Sequence, residues 1–177
     1  MSFSIRDRVG LLQSVVFRVE RRYVEGHGQH FDRDVVVHPG AVVILPVDDL
    51  GRVGLLRQWR ATVNQMNWEL PAGTCDVAAE AGLATAKREL LEELGVVSDD
   101  WTLLRTMQNS PGWTDQITTL FRADHVRHVG ASPQGPEETF SEQHWFTAEQ
   151  VRELLAQPVA LDSTLVYALT VFLEGAH

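Results

Sequence analysis

The stretch Gly73-Thr-Cys-Asp-Val-Ala-Ala-Glu80, continued by Lys87-Arg-Glu-Leu-Leu-Glu-Glu-Leu-Gly95-Val96, decides how the rest of the chain is read. From Ala78 to Leu94 the apolar residues Leu83, Ala86, Leu90 and Leu94 recur at spacings of three and four, which predicts a helix with one buried stripe. Gly95 is the expected C-terminal stop, because glycine enters the left-handed conformation without penalty. On such a helix Glu89, Glu92 and Glu93 stand at i, i+3 and i+4 and share one face. Crowding three carboxylates is unfavourable unless a cation offsets the repulsion. Hard oxygen donors in this pattern suit Mg2+ or Mn2+, which would also attract phosphate oxygens. Arg88 lies one turn from Glu92 and can pair with it. An acidic helix face is often merely solvated. Finding Glu80, Arg88, Glu89, Glu92, Glu93 and Gly95 together by chance, however, is on the order of one in ten million per starting position.

Working outward, short apolar runs precede the helix. Leu11 to Val24 and Asp34 to Val37 flank the turn-rich Gly26-His27-Gly28-Gln29 and read as a β-hairpin or meander. Ala41 to Val47 is an expected buried strand, with an end or bulge at Pro46. Asp48 to Gly51 is a turn, Arg52 to Trp59 a strand, and Trp68-Glu69-Leu70 leads into a turn at Pro71-Ala72-Gly73. Beyond the helix, strands are expected at Trp101 to Met107, Ile117 to Ala123 and Trp145-Phe146, and a loop from Gly130 to Ser141. Thr147 begins a helix with a capping box, and a last helix runs from Asp162 to Leu173. This order predicts an α/β (α+β) protein whose mixed sheet is layered with helices. Residues 1–40 are read as the N-terminal meander of the same unit as residues 41–177.

The length of 177 residues favours one core. No apolar run approaches the roughly 20 residues a bilayer demands, and Met1 to Gly10 lacks the apolar core of a secretory signal. Cys75 is the single cysteine, which excludes an internal disulfide and a cysteine-rich zinc site. The expected compartment is cytoplasmic. A net charge of −9 with scattered arginines argues against nucleic-acid binding, and the want of a long apolar run argues against a membrane partner. An acidic protein that acts on a phosphate anion needs a local reversal of field, which a bound divalent metal provides.

These residues resemble the Nudix box, G-x5-E-x7-R-E-U-x-E-E-x-G-U with U apolar, and every position from Glu80 to Val96 agrees. Six residues rather than five separate Gly73 from Glu80, so Thr74 takes the formal glycine position. The resemblance implies an α/β/α sandwich with a mixed sheet and an N-terminal antiparallel β-meander. It implies Mg2+ or Mn2+ held by Glu89, Glu92 and Glu93 with the Ala72 carbonyl, and makes Glu93 and Arg88 part of the catalytic machinery. Glu80 and Arg88 would orient the helix and its loop.

Four features resemble the ADP-ribose pyrophosphatase subgroup: Trp68-Glu69-Leu70-Pro71-Ala72-Gly73, the strand Arg57-Gln58-Trp59-Arg60, Pro111 placed 16 residues beyond Gly95, and the pair Glu137-Glu138. By that resemblance Arg57, Trp68, Glu69, Gly73, Pro111, Gly112 and Asp115 would bind substrate, and Glu138 or Glu137 would be the general base. The implied reaction is hydrolysis of a nucleoside diphosphate sugar, with ADP-ribose giving AMP and ribose 5-phosphate. Gln116 departs from the Glu common in that subgroup, so base or terminal sugar can differ. Alternatives are another nucleotide (GDP-mannose, ADP-glucose, a dinucleoside polyphosphate or a nucleoside triphosphate) and a non-catalytic ligand sensor. The resemblance also implies a homodimer whose N-terminal strands reach the partner; Leu165 to Leu169 could serve an interface but is assigned to the core.

Overall fold

The computed structural model describes residues 2–77, 80–130 and 140–175. Three N-terminal strands, β1 (Ser4–Gln13), β2 (Arg18–Gly26) and β3 (Gln29–Val37), form an antiparallel meander in the order β1-β2-β3. The β2–β3 turn places His27 and Gly28 at φ 51° and 73°. Two successive positive φ values match the right-handed twist of the flanking strands. The run Leu11 to Val24 is not one strand: the chain reverses between β1 and β2, closed by the Ser14 amide donating to the Phe17 carbonyl at 2.9 Å.

An eight-stranded mixed sheet follows, containing β4 (Ala41–Asp48), β5 (Val53–Arg60), β6 (Gln65–Glu69), β7 (Ala72–Thr74), β8 (Val96–Val97), β9 (Asp100–Gln108), β10 (Ile117–His128) and β11 (Glu142–Phe146). Its backbone order is β11-β5-β4-β10-β8, with β6 on β5, β7 on β4 and β9 on β10. β4 and β10 run parallel, and the other pairs are antiparallel. Helix α1 (Gly82–Leu94) covers one face; α2 (Ala148–Ala156) and α3 (Ser163–Glu174) cover the other. The alternation of β4 explains both layers. Val42 and Ile44 pack with Ala86, Leu90 and Leu94 of α1, whereas Leu45 and Val47 pack with Val151, Leu165 and Leu169. The result is an α/β/α sandwich, as expected.

Several boundaries differ from the sequence reading. Pro46 does not end β4; the irregularity falls opposite, on β10 between Ala123 and Val126, where His125 has φ 53°. The Ala72-Gly73 turn is instead β7, whose residues pair with Ala41, Val42 and Val43. α1 starts at Gly82 rather than Ala78, capped by an extended Ala81 that makes no side-chain cap. Leu83 is therefore in the first turn and is 37% exposed, outside the buried stripe. Gly95 does close α1, at φ 65° with its amide bonded to the Leu91 carbonyl. The expected capping box at Thr147 is present, and Asp162 caps α3 through the Thr164 and Leu165 amides. Leu165, Ala168 and Leu169 are core, as assigned. Among the described residues no helix is long and apolar enough to cross a membrane.

Candidate active site

The last two turns of α1 carry the acidic cluster. Leu90 and Leu94 are fully buried in the core and anchor the helix, which brings Glu89 and Glu93 under β7. Both glutamates are buried, at 8% and 7% exposure. The absence of a side chain at Gly73 lets Glu89 lie this close to β7. A Cβ on it would stand 2.1 Å from Glu89 Oε1 and 2.3 Å from Glu89 Cγ. The neighbouring Ala72 amide donates to Glu93 Oε2 at 2.9 Å, and Gln143 Nε2 donates to the Glu93 carbonyl at 2.6 Å.

Arg88 organises the other carboxylates. Its Nη1 lies 2.8 Å from Glu89 Oε1 and 3.0 Å from Glu92 Oε2, and its Nη2 lies 3.4 Å from Glu80 Oε2. Burial disfavours the guanidinium charge, but the hydrogen bond it donates to Glu80 and the charges of Glu89 and Glu92 outweigh it and raise its pKa. The Thr85 hydroxyl donates to Glu80 at 2.9 Å and, with Arg88, holds the Glu80 carboxyl below the usual glutamate range. Glu80 and Arg88 thus tie the loop entering α1 to the helix.

Glu89, Glu92 and Glu93 do not converge on one point: among the described residues no group of three acidic, histidine or cysteine side chains stands ready to hold a metal ion. Mutual repulsion is relieved here by Arg88 and by the Ala72 amide. The donor set nevertheless fits a hard divalent cation, because two buried carboxylates at i and i+4 with a third beside them offer only oxygen ligands.

Ala72 also lines an adjoining cleft of about 490 Å³. One wall is the β5–β6 hairpin, with Arg60, Gln65, Asn67 and Glu69; another is Asn109, Gln116 and Thr118 at the β9–β10 end; the N-terminus of α3 closes it. Arg60 holds Glu69 with paired bonds, Nε to Oε1 at 2.9 Å and Nη2 to Oε2 at 2.6 Å. Of the expected substrate ligands, Glu69 lines this cleft, and Gly73 follows the lining residue Ala72 without lining it.

The others are placed elsewhere. Arg57 and Trp68 face each other across β5 and β6, with the Arg57 guanidinium 5.7 Å from the Trp68 ring centroid. Trp68 packs edge-on against His144 and Phe146, each 5.0 Å away, and does not line the cleft. Arg57 stands inside β5, flanked by β6 and β11 with its Nη1 3.7 Å from Glu142 Oε2, whereas Arg60 is the last residue of β5 and reaches the cleft. Pro111 and Gly112 lie in an exposed turn outside the cleft, and Asp115 is bound by Arg22 at 2.7 Å and by the His38 amide at 3.1 Å. Glu137 and Glu138 lie outside the described residues. The sequence reading overlooked Gln65, Asn67, Asn109 and Thr118 as cleft residues. They are dispersed through hairpin and strand ends and belong to no motif, unlike Arg60 in Arg57-Gln58-Trp59-Arg60, Glu69 in Trp68 to Gly73, and Gln116.

A family model described as NUDIX domain matches residues 37–167. The chain belongs to the Nudix family. Within it, the chain is similar to the ADP-ribose pyrophosphatase of Mycobacterium tuberculosis (strain ATCC 25618 / H37Rv), 39% identical over 124 residues, which is 70% of this chain and 60% of that protein. It is also similar to the ADP-ribose pyrophosphatase of Bacillus subtilis (strain 168), 31% identical over 143 residues, 81% of this chain and 77% of that one. A crystal structure of an ADP compounds hydrolase superposes with a TM-score of 0.82 over 100% of this chain and 98% of the other, at 22% identity. That likeness shows the Nudix fold, α/β/α layers and meander included.

Proposed function

We propose that this Nudix chain hydrolyses the pyrophosphate bond of a nucleoside diphosphate sugar, with ADP-ribose preferred and AMP and ribose 5-phosphate as products. One observation carries the reading. Ala72 is shared between the cleft and the buried glutamates, so a ligand in the cleft would present its phosphates to the Nudix helix. Similarity to two ADP-ribose pyrophosphatases supports the substrate class, and the cleft volume of about 490 Å³ lies in the range of small-molecule sites.

Glu89, Glu92 and Glu93, with the Ala72 carbonyl, would hold Mg2+ or Mn2+, whose charge would neutralise the phosphate oxygens during displacement. The Arg60–Glu69 pair and the amides of Gln65, Asn67, Asn109 and Gln116 supply oriented donors and acceptors for a hydroxyl-rich ligand. Water attacks one phosphorus, the bond to the bridging oxygen breaks, and Glu138 or Glu137 takes the proton of the attacking water. The reaction would take place in the cytoplasm on a free nucleotide.

A product-release assay across ADP-ribose, ADP-glucose, GDP-mannose, NADH and 8-oxo-dGTP with Mg2+ tests this reading. ADP-ribose should rank first; a clear preference for a triphosphate would overturn it. One observation favours a second reading. Gln116, an amide where the resembling subgroup commonly has Glu, lines the cleft, and this supports a different base or terminal sugar.

We propose a homodimer as the working form. All ten residues of β1 are exposed, among them Phe3, Ile5, Val9 and Leu11 within or beside the strand. A long apolar edge of this kind pairs readily with another chain. Sedimentation should give twice the chain mass of 19.8 kDa; a species of the single mass at micromolar concentration would refute the dimer.

A further inference from the structure

The N-terminal meander and the cleft are joined by one chain of polar contacts. Arg22 on β2 donates from Nε to Glu20 at 2.7 Å and from Nη2 to Asp115 at 2.7 Å. Glu20 is itself only 7% exposed, so its carboxylate orients the guanidinium from a buried position. The second Asp115 oxygen accepts the His38 amide at 3.1 Å. Both oxygens of Asp115 are therefore committed to protein donors, and Asp115 does not line the cleft.

The segment around Asp115 is pinned along its length. The Val36 amide donates to the Trp113 carbonyl at 2.9 Å, and the Asp115 amide returns to the Val36 carbonyl at 3.2 Å. The Thr114 hydroxyl donates to Val36 at 2.9 Å and accepts the Gln116 amide at 3.2 Å. Gln116 and Asn109, which do line the cleft, meet through the Asn109 amide and the Gln116 carbonyl at 3.4 Å. On the other side, His38 Nδ1 accepts the Gly40 amide at 3.0 Å, and the Gly40 carbonyl accepts the Cys75 amide at 3.0 Å, directly after β7. One network thus reaches the wall bearing Gln116 and the strand lying over Glu89.

We propose that the Arg22–Asp115 ion pair is a positioning device by which the β-meander fixes the cleft wall formed by Asn109 and Gln116, and so sets substrate affinity without contacting substrate. This rests on the cleft being the nucleotide site. The pair joins residues 93 positions apart, so it ties the segment that carries Gln116 to a strand remote in the sequence. Burial would raise the Asp115 carboxyl, but Arg22 and the His38 amide hold it below the ordinary aspartate range, so the pair is intact at neutral pH. Arg22 matches two acceptors at once with its planar fork, which lysine cannot reproduce.

The test compares Arg22→Ala, Asp115→Asn and Arg22→Lys with Arg21→Ala. Arg21 makes an exposed bidentate pair with Asp34, at 2.7 and 2.9 Å, on the same meander. Hydrogen–deuterium exchange of residues 109–118 reads the tether independently of activity. Exchange there should rise about tenfold in Arg22→Ala and Asp115→Asn, partly recover in Arg22→Lys and stay at the parent rate in Arg21→Ala. With the best nucleotide of the panel, KM should rise about tenfold in the first two variants while kcat falls less than about threefold. Equal behaviour of Arg22→Ala and Arg21→Ala, or faster exchange with unchanged KM, overturns the proposal. If the parent protein hydrolyses none of the nucleotides, the functional reading fails, whereas exchange still decides whether the tether exists.

Discussion

Glu93→Gln is expected to lower kcat about a thousandfold, within the range for removing a positioned catalytic carboxyl group, while the protein stays folded. The isosteric amide keeps an oxygen that can accept the Ala72 amide, now at 2.9 Å from Glu93 Oε2. Stability should therefore change by less than about 1 kcal/mol. It can even rise, since Glu89 and Glu93 stand at i and i+4 and like charges at that spacing repel. A large fall in turnover at unchanged or higher melting temperature is the signature of a group kept for chemistry at some cost to the fold. The measurement is AMP release at saturating Mg2+ beside thermal unfolding. Unchanged turnover would remove Glu93 from the active site and favour a ligand sensor.

Gly73→Ala is expected to damage the same site from the other side. The added carbon would lie within 2.3 Å of three Glu89 side-chain atoms, so either Glu89 swings away or β7 lifts from α1. Overpacking of this kind costs about 1–3 kcal/mol, and displacing Glu89, a proposed metal ligand, should raise the Mg2+ concentration for half-maximal activity by about 10- to 100-fold. Gly10→Ala is the control, because a Cβ there meets nothing within 4 Å. Indistinguishable metal dependence in the two variants would show that the close approach of Gly73 to Glu89 has no bearing on metal binding. The displaced box glycine is informative here. Although Thr74 stands at its formal place, the tight contact is made by Gly73.

The elements that could be read before the structure were those set by local chemistry. Leu90, Leu94 and Gly95 located the end of α1 because a 3.6-residue period and a left-handed cap are properties of adjacent residues. Thr147 and Gln150 foretold a capping box for the same reason. The start of α1 was misread, since Ala78 to Ala81 have the composition of a helix; Ala81 is extended instead, and Glu80 hydrogen-bonds Thr85 and Arg88. The surroundings of Arg57 and Trp68 were harder to read, because they depend on neighbouring strands: Arg57 meets Glu142 of β11, and Trp68 packs on His144 and Phe146.

By itself the sequence determined the family, the acidic helix and the identities of Glu89, Glu92 and Glu93, because spacing along one helix is enough to place side chains on one face. The tertiary structure alone decided that Gly73 lies over Glu89, that Arg60, Asn109 and Gln116 share a cleft, and that Asp115 is held by Arg22 and the His38 amide. Those contacts join segments that are not neighbours in the sequence, and they exist only once two hydrophobic layers have closed on the sheet. No local preference encodes them.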